Sequence, residues 1–239
     1  GGAVYCSQSS PTFVDCTFSG GSSQYGGAVY IWTASPVFTG CTFSGNEATG
    51  DGWGGAVYAE VASSGFEDCT FSDNTTVHHG GAIYFSQSED SVIDCTFSGN
   101  SANEHGGSLY CTDSSAPFVS GCSFLDGYAN IGGGLSCVFG SNATINDCLF
   151  SGHTGYCAFY ADASSPTFTD CTFHSNTARY YGGGLCSRYS SSPVLEDVDE
   201  AGFILLVEGA LRQLQGGRRC GRGRPGRFGR TPGEASADD

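Results

Sequence analysis

Apolar and polar residues recur along most of this chain in columns spaced about 26 residues apart, a period in the range of stacked repeat architectures. The columns align on Cys16, Cys41, Cys69, Cys95, Cys122, Cys148 and Cys171. Three positions earlier stand Phe13, Phe38, Phe66, Val92, Val119, Ile145 and Phe168. Two positions later stand Phe18, Phe43, Phe71, Phe97, Phe124, Phe150 and Phe173. Between cysteine and Phe the residue is polar (Thr17, Thr42, Thr70, Thr96, Ser123, Thr172), with Leu149 the exception. Apolar, polar, apolar is the period-two alternation of a strand with one buried face, so cysteine and Phe point inward and the threonines outward.

The position before the cysteine holds only Asp or Gly: Asp15, Gly40, Asp68, Asp94, Gly121, Asp147 and Asp170. Both residue types tolerate the left-handed backbone of a sharp bend. After the Phe, a column of Asn46, Asn74, Asn100 and Asn176, with Gly21, Gly127 and His153 in the other repeats, is expected to mark a second bend. A further strand follows each glycine pair, with Val4, Val29, Val57, Ile83, Leu109, Leu135, Phe159 and Leu185 as its inward column.

Short strands joined by bends and stacked on copies of themselves make a parallel β-helix, about eight coils of ~26 residues. At ~4.8 Å per coil the rod is on the order of 35 Å long. A helical repeat is excluded by the glycine content, the β-branched residues and the recurring period-two alternation. The expected fold class is therefore all-β, a right-handed single-stranded parallel β-helix over residues 1–197, the hand resting on the family resemblance given next together with the rule for parallel crossovers.

The phrases Gly-Gly-Ala-Ile (Gly80 to Ile83) and Phe-x-x-Asn (Phe97 to Asn100) resemble the repeat signature of the chlamydial polymorphic outer-membrane proteins. The resemblance covers residues 1 to about 197 and implies a secreted autotransporter passenger with a role in adhesion. No membrane barrel is recognisable in the sequence, so self-transport is not carried over, and direct membrane insertion of this segment is not expected. Localisation is expected to be extracellular or at the cell surface, associated with an outer membrane.

Composition narrows the partners. The chain has no Met and no Lys, and residues 1–193 carry 16 acidic residues against Arg179 and Arg188. Such a surface repels nucleic acid, anionic membranes and polyuronates. A chain that starts mid-phrase at Gly1 is expected to be a fragment or a processed product. The seven inward cysteines are read as a ladder of small buried thiols, because stacked parallel neighbours hold Cβ atoms ~4.8 Å apart, beyond disulfide reach. No metal spacing occurs, His78 and His79 are expected to be solvated, and neither a metal nor a cofactor is expected. Calcium between the bend acids Asp68 and Asp94, or Asp147 and Asp170, is the lesser reading. Two glycosylation sequons begin at Asn74 and Asn142.

Two functional classes remain. An exposed tyrosine ladder, Tyr30, Tyr58, Tyr84 and Tyr110, lies beside the inward Val column and would suit a glycan or a partner protein. The bland alternative is that these rings merely cover the sheet and brace the coils. The rival class is a glycosidase-type enzyme of the pectin-lyase-like fold, with its catalytic coil missing or unrecognised. Its available carboxylate pairs are Glu60 with Glu67 or Asp68, and Glu89 with Asp90 or Asp94. A lyase mechanism is disfavoured because residues 1–178 hold no Arg or Lys to abstract a proton. The preferred expectation is a non-catalytic stalk with an adhesive role, and the oligomeric state is left open.

Residues 198–239 break the period: Val198 stands where cysteine is due, and seven arginines crowd between Arg212 and Arg230. A short helix over 201–215 capping the rod, followed by a disordered Gly/Arg-rich segment, is expected. Two readings of the tail compete: a Gly-Arg nucleic-acid-binding arm near Gly221 to Arg230, and, preferred, a slipped reading frame, which the codons of Leu211–Leu214 allow because read one nucleotide later they permit Ser-Gly-Asn-Ser.

Overall fold

The structure is a computed structural model that describes residues 1–179, 182–201 and 206–207. On three sides each coil passes through the same series of parallel strands, and each strand pairs in register with its equivalent one coil later, for example Val29 with Val57 and Phe71 with Phe97. The resulting sheets run the length of the rod. One, of nine strands, contains Val29–Trp32 and Ile83–Ser86; two more, of eight strands each, contain Phe118–Ser120 and Thr96–Ser98. A fourth side, less regular, is built from Ser22–Tyr25, Glu47–Trp53, Thr75–Thr76 and Ser101–Ala102, and further along from Thr154–Gly155 and Thr177–Ala178.

The interior is a set of translated columns. Phe43, Phe71, Phe97, Phe124 and Phe150 are fully buried. Their rings stack at centroid spacings of 4.6 to 4.8 Å and within 8° of parallel. Phe13, Phe38 and Phe66 form a second stack at 4.8 and 5.0 Å. Spacing set by the backbone ladder thus matches the spacing of offset-stacked rings, each pair contributing ~0.5–1.5 kcal/mol beyond its burial. The cysteines lie inward beside them. Cys69, Cys95 and Cys122 each direct S–H to the carbonyl two residues back, at 3.2 to 3.3 Å.

The bends fall where Asp and Gly were expected. Asp68 and Asp94 adopt φ of 53° and 51°, and Gly121 takes 65°. The second bend needs correction. It falls one residue before the Asn column, at Gly45, Asp73 and Gly99, all with positive φ. Asn46, Asn74 and Asn100 are instead fully buried and face inward. Asn74 Nδ2 donates to the Phe43 carbonyl at 3.0 Å and to Asn100 Oδ1 at 3.0 Å. Its own Oδ1 accepts from the Asn46 amide N–H at 3.0 Å. An amide carries donor and acceptor together, so one side chain satisfies two backbone groups of the preceding coil and still bonds the Asn side chain of the next. This burial also removes Asn74 from the surface as a glycosylation acceptor, whereas Asn142 is exposed.

The glycine pair has a steric origin. Gly80 sits at φ 70°, and a Cβ on Gly81 would run into the carbonyl oxygen of Gly107 on the next coil. The strand pattern also continues beyond 197: Asp199–Ala201 pairs with Thr172–His174, and Leu206–Val207 pairs with the strand Leu185–Arg188. Residues 201, 206 and 207 are therefore extended, and the expected helix does not occupy them. The remainder of that helix and the Gly/Arg-rich segment lie outside the described residues.

Candidate functional site

The tyrosine column points away from the interior, as its alternation with Val requires, yet it is not exposed. Tyr58, Tyr84 and Tyr110 retain only 5–7% of their surface, and Tyr30 is half-buried. The cover is a column that the sequence reading missed: Tyr25, Trp53, His79 and His105, each directly before a glycine pair. Tyr25 packs on Tyr58 at 5.2 Å. Trp53 stacks on Tyr84 at 5.4 Å, and His79 stacks on Tyr110 at 4.6 Å. Where Ser136 replaces the tyrosine, His105 reaches Tyr160 at 5.8 Å. The pre-glycine position was the available signal, since it is aromatic in each of these four coils. Burial pushes the Tyr58, Tyr84 and Tyr110 phenols up, so all stay neutral. The expected exposed ladder is thus a second apolar seam that braces the coils.

The histidines belong to the same seam. His78 Nδ1 and His79 Nε2 contact the two oxygens of Glu104 at 3.1 and 3.3 Å. Burial, and then neighbouring His105, lower the His79 pKa to about 4. His79 is therefore a packed residue and not the solvated one expected. Among the described residues, no group of three His, Cys, Asp or Glu side chains is placed to hold a metal ion. The carboxylate pairs are dispersed as well. Glu60 ends a strand of the nine-stranded sheet, where it accepts from Tyr58 Oη at 3.3 Å, while Glu67 lies on a different sheet. Glu89 is exposed, but Asp90 faces the interior, bonded to the Ser64 amide and hydroxyl.

A concavity exists on the fourth side, and a length difference creates it. From the inward column after the second bend to the next inward strand residue, the chain takes 8 residues in one coil (Gly127 to Leu135) and 9 in another (Asn176 to Leu185). Between them, His153 to Phe159 takes only 6. The shortened coil cuts the corner and leaves a notch of about 330 Å³, lined by Tyr128, Asn130, Thr154, Gly155, Tyr156, Thr177 and Arg179. Gly155, one of these lining residues, adopts φ 138°, and a Cβ on it would strike the Ala129 carbonyl of the preceding coil. Tyr128 is 44% exposed, and its hydroxyl lies 3.4 Å from Asn130 Oδ1. Thr154, Thr177 and Arg179 are exposed. The 28-residue repeat shows the converse. Its extra length, from Asn46 to Val57, is absorbed in the long strand Glu47–Trp53 with a register shift against Ser22–Tyr25.

The family model described as right handed beta helix region matches residues 1–118 and 54–198, and the chain belongs to that family. No curated protein and no solved structure matches the chain.

Proposed function

We propose that this right-handed β-helix is a non-catalytic stalk or passenger of an extracellular or cell-surface protein, associated with an outer membrane, that adheres to a surface glycan through its side. The notch carries the reading: an exposed tyrosine ring, threonine hydroxyls, an amide and a guanidinium line one groove of ligand size. Sugar rings are recognised by aromatic faces and by convergent hydroxyl and amide partners. The Gly-Gly-Ala-Ile and Phe-x-x-Asn phrases support the same reading through their likeness to chlamydial outer-membrane protein repeats. In this account the column Tyr30, Tyr58, Tyr84 and Tyr110 keeps the rod rigid, and the groove does the binding.

Beads coated with the purified protein should bind glycan-bearing cells, and Tyr128→Ala should reduce that binding severalfold with an unchanged melting temperature. The same protein incubated with polysaccharides should release no new reducing ends and no unsaturated products. Released ends would replace the adhesive reading with the glycosidase one.

A further inference from the structure

We infer that Cys157 and Cys186 form a disulfide that joins two neighbouring coils beside the notch. The inference is independent of the glycan reading, because it concerns the aromatic seam and not the groove. In that seam a residue of one coil lies over the tyrosine of the next, as Trp53 lies on Tyr84 and His79 on Tyr110. Cys186 stands in the tyrosine column, in register with Tyr160. Cys157 joins the seam from the preceding coil, at a position that is Gly107, Gly133 and Gly183 in its neighbours. A Cβ at Gly107 would strike the Gly133 carbonyl. The position before it is Gly106 or Gly132 at positive φ in the preceding coils but Tyr156 here, so the shortened coil takes another path and admits a side chain.

The two thiols are buried together in the seam and lie within hydrogen-bonding reach of each other. Cys186 Sγ is also 3.8 Å from the Tyr156 carbonyl, whose carbon is bonded to the Cys157 nitrogen. The register that pairs Phe159 with Leu185 puts Cys186 three residues past the partner of Cys157. The turn through the glycine triplet folds it back, leaving its Sγ 3.8 Å from the Gly182 carbonyl. No backbone ladder therefore fixes the separation of this pair. By contrast, Cys111 and Cys137 are in-register partners within the main core, where the ladder holds Cβ atoms ~4.8 Å apart, beyond the usual disulfide span. Tyr156, adjacent to Cys157, lines the notch, so the offset pair is also the one nearest a solvent-filled opening on that side.

Cys186 reacts first. The Cys157 thiol holds its pKa down, against burial and with help from Arg188, whereas burial pushes Cys157 up. The proposed extracellular setting supplies the oxidant, a small-molecule or protein disulfide RSSR. The Cys186 thiolate displaces one RS⁻ and forms a mixed disulfide. Cys157 gives its proton to solvent and displaces the second RS⁻. One S–S bond forms and one breaks, and the oxidant takes up two electrons and two protons to leave as two thiols.

Proteolysis tests the bridge. Up to Arg188 trypsin can cut only at Arg179 and Arg188, so residues 180–188 leave as one peptide carrying Cys186. The folded chain is equilibrated with oxidised glutathione, quenched in acid, alkylated, and digested in denaturant without reductant. The 180–188 peptide should stay attached to residues 1–179 and come free on reduction. A further chymotryptic digestion should place the link at Cys157. In Cys157→Ser the peptide should leave unlinked, as a glutathione adduct or an alkylated thiol, while Cys111→Ser should keep the bridge. Release of the peptide from the oxidised natural chain without reductant would overturn the inference. A link to any other cysteine, or retention of the peptide in Cys157→Ser, would overturn it as well.

Discussion

His153 makes the rod acid-sensitive in one coil. It occupies the inward column elsewhere held by Asn and is 1% exposed. Its Nδ1 takes the Gly127 amide at 3.1 Å, as Asn46 Oδ1 takes the Gly21 amide at 2.9 Å. The Gly127 carbonyl lies farther away, at 3.4 Å. Nδ1 is thus assigned as the acceptor, and the proton sits on Nε2, which is buried with no partner. Burial dominates and lowers the pKa from 6.5 to about 4, against smaller opposing effects of backbone carbonyls and Asp126. Because the folded pKa lies below the unfolded one, the unfolded coil binds more protons in acid. The stabilisation is complete above pH 6.5 and is lost as pH falls through about 4. At ~1.36 kcal/mol per pKa unit, the loss is on the order of 3 kcal/mol.

The sign is diagnostic, because mild acid relieves self-repulsion in a chain of formal net charge −15 and so acts in the opposite direction. Hydrogen-exchange protection factors for amides 124–159, measured from pH 7 to pH 4, should fall in the natural chain. They should hold in His153→Asn, whose amide can accept from Gly127 without titrating. His79 and His105, also lowered by burial, add acid sensitivity at their own coils, which the residue-resolved readout separates. Equal loss of protection in both chains, at the same pH, would refute the reasoning.

Four further outcomes follow from the packing and the buried groups. Phe97→Ala opens a gap between rings at 4.8 Å on either side and should cost about 3–5 kcal/mol in chemical denaturation. Asn74→Ala leaves the buried Asn46 amide without its acceptor, for a loss of about 1–3 kcal/mol, and Asn74→Asp should be worse at pH 7 because a carboxylate then faces Asn100 Oδ1. Burial raises the Asp90 pKa, so its contribution diminishes as pH rises, and Asp90→Asn should raise the melting temperature at pH 7 and 8 more than at pH 4. EDTA should leave the melting temperature unchanged, since calcium between Asp68 and Asp94 is not required by the bend, which Gly121 makes equally well.

The repeat itself was legible because one-dimensional stacking turns spatial columns into sequence columns. Cysteine, Phe and Val recur at fixed offsets, and their alternation alone assigns them to the interior. The bend at Asp68 and Asp94 was legible for the same reason, as left-handed backbone selects a short list of residues. Three features depended on tertiary structure. Asn is common both in bends and in buried ladders, and only the bond from Asn74 to Asn100 distinguishes the two. Outward alternation does not imply exposure, and only the turn that folds Trp53 and His79 over the sheet closes off Tyr84 and Tyr110. A deletion near Gly155 is plain in the spacing of cysteines, but whether a shorter corner collapses or opens a notch depends on how neighbouring coils are held apart. Here the backbone ladder fixes their positions, so the missing residues leave a space between Tyr128 and Arg179.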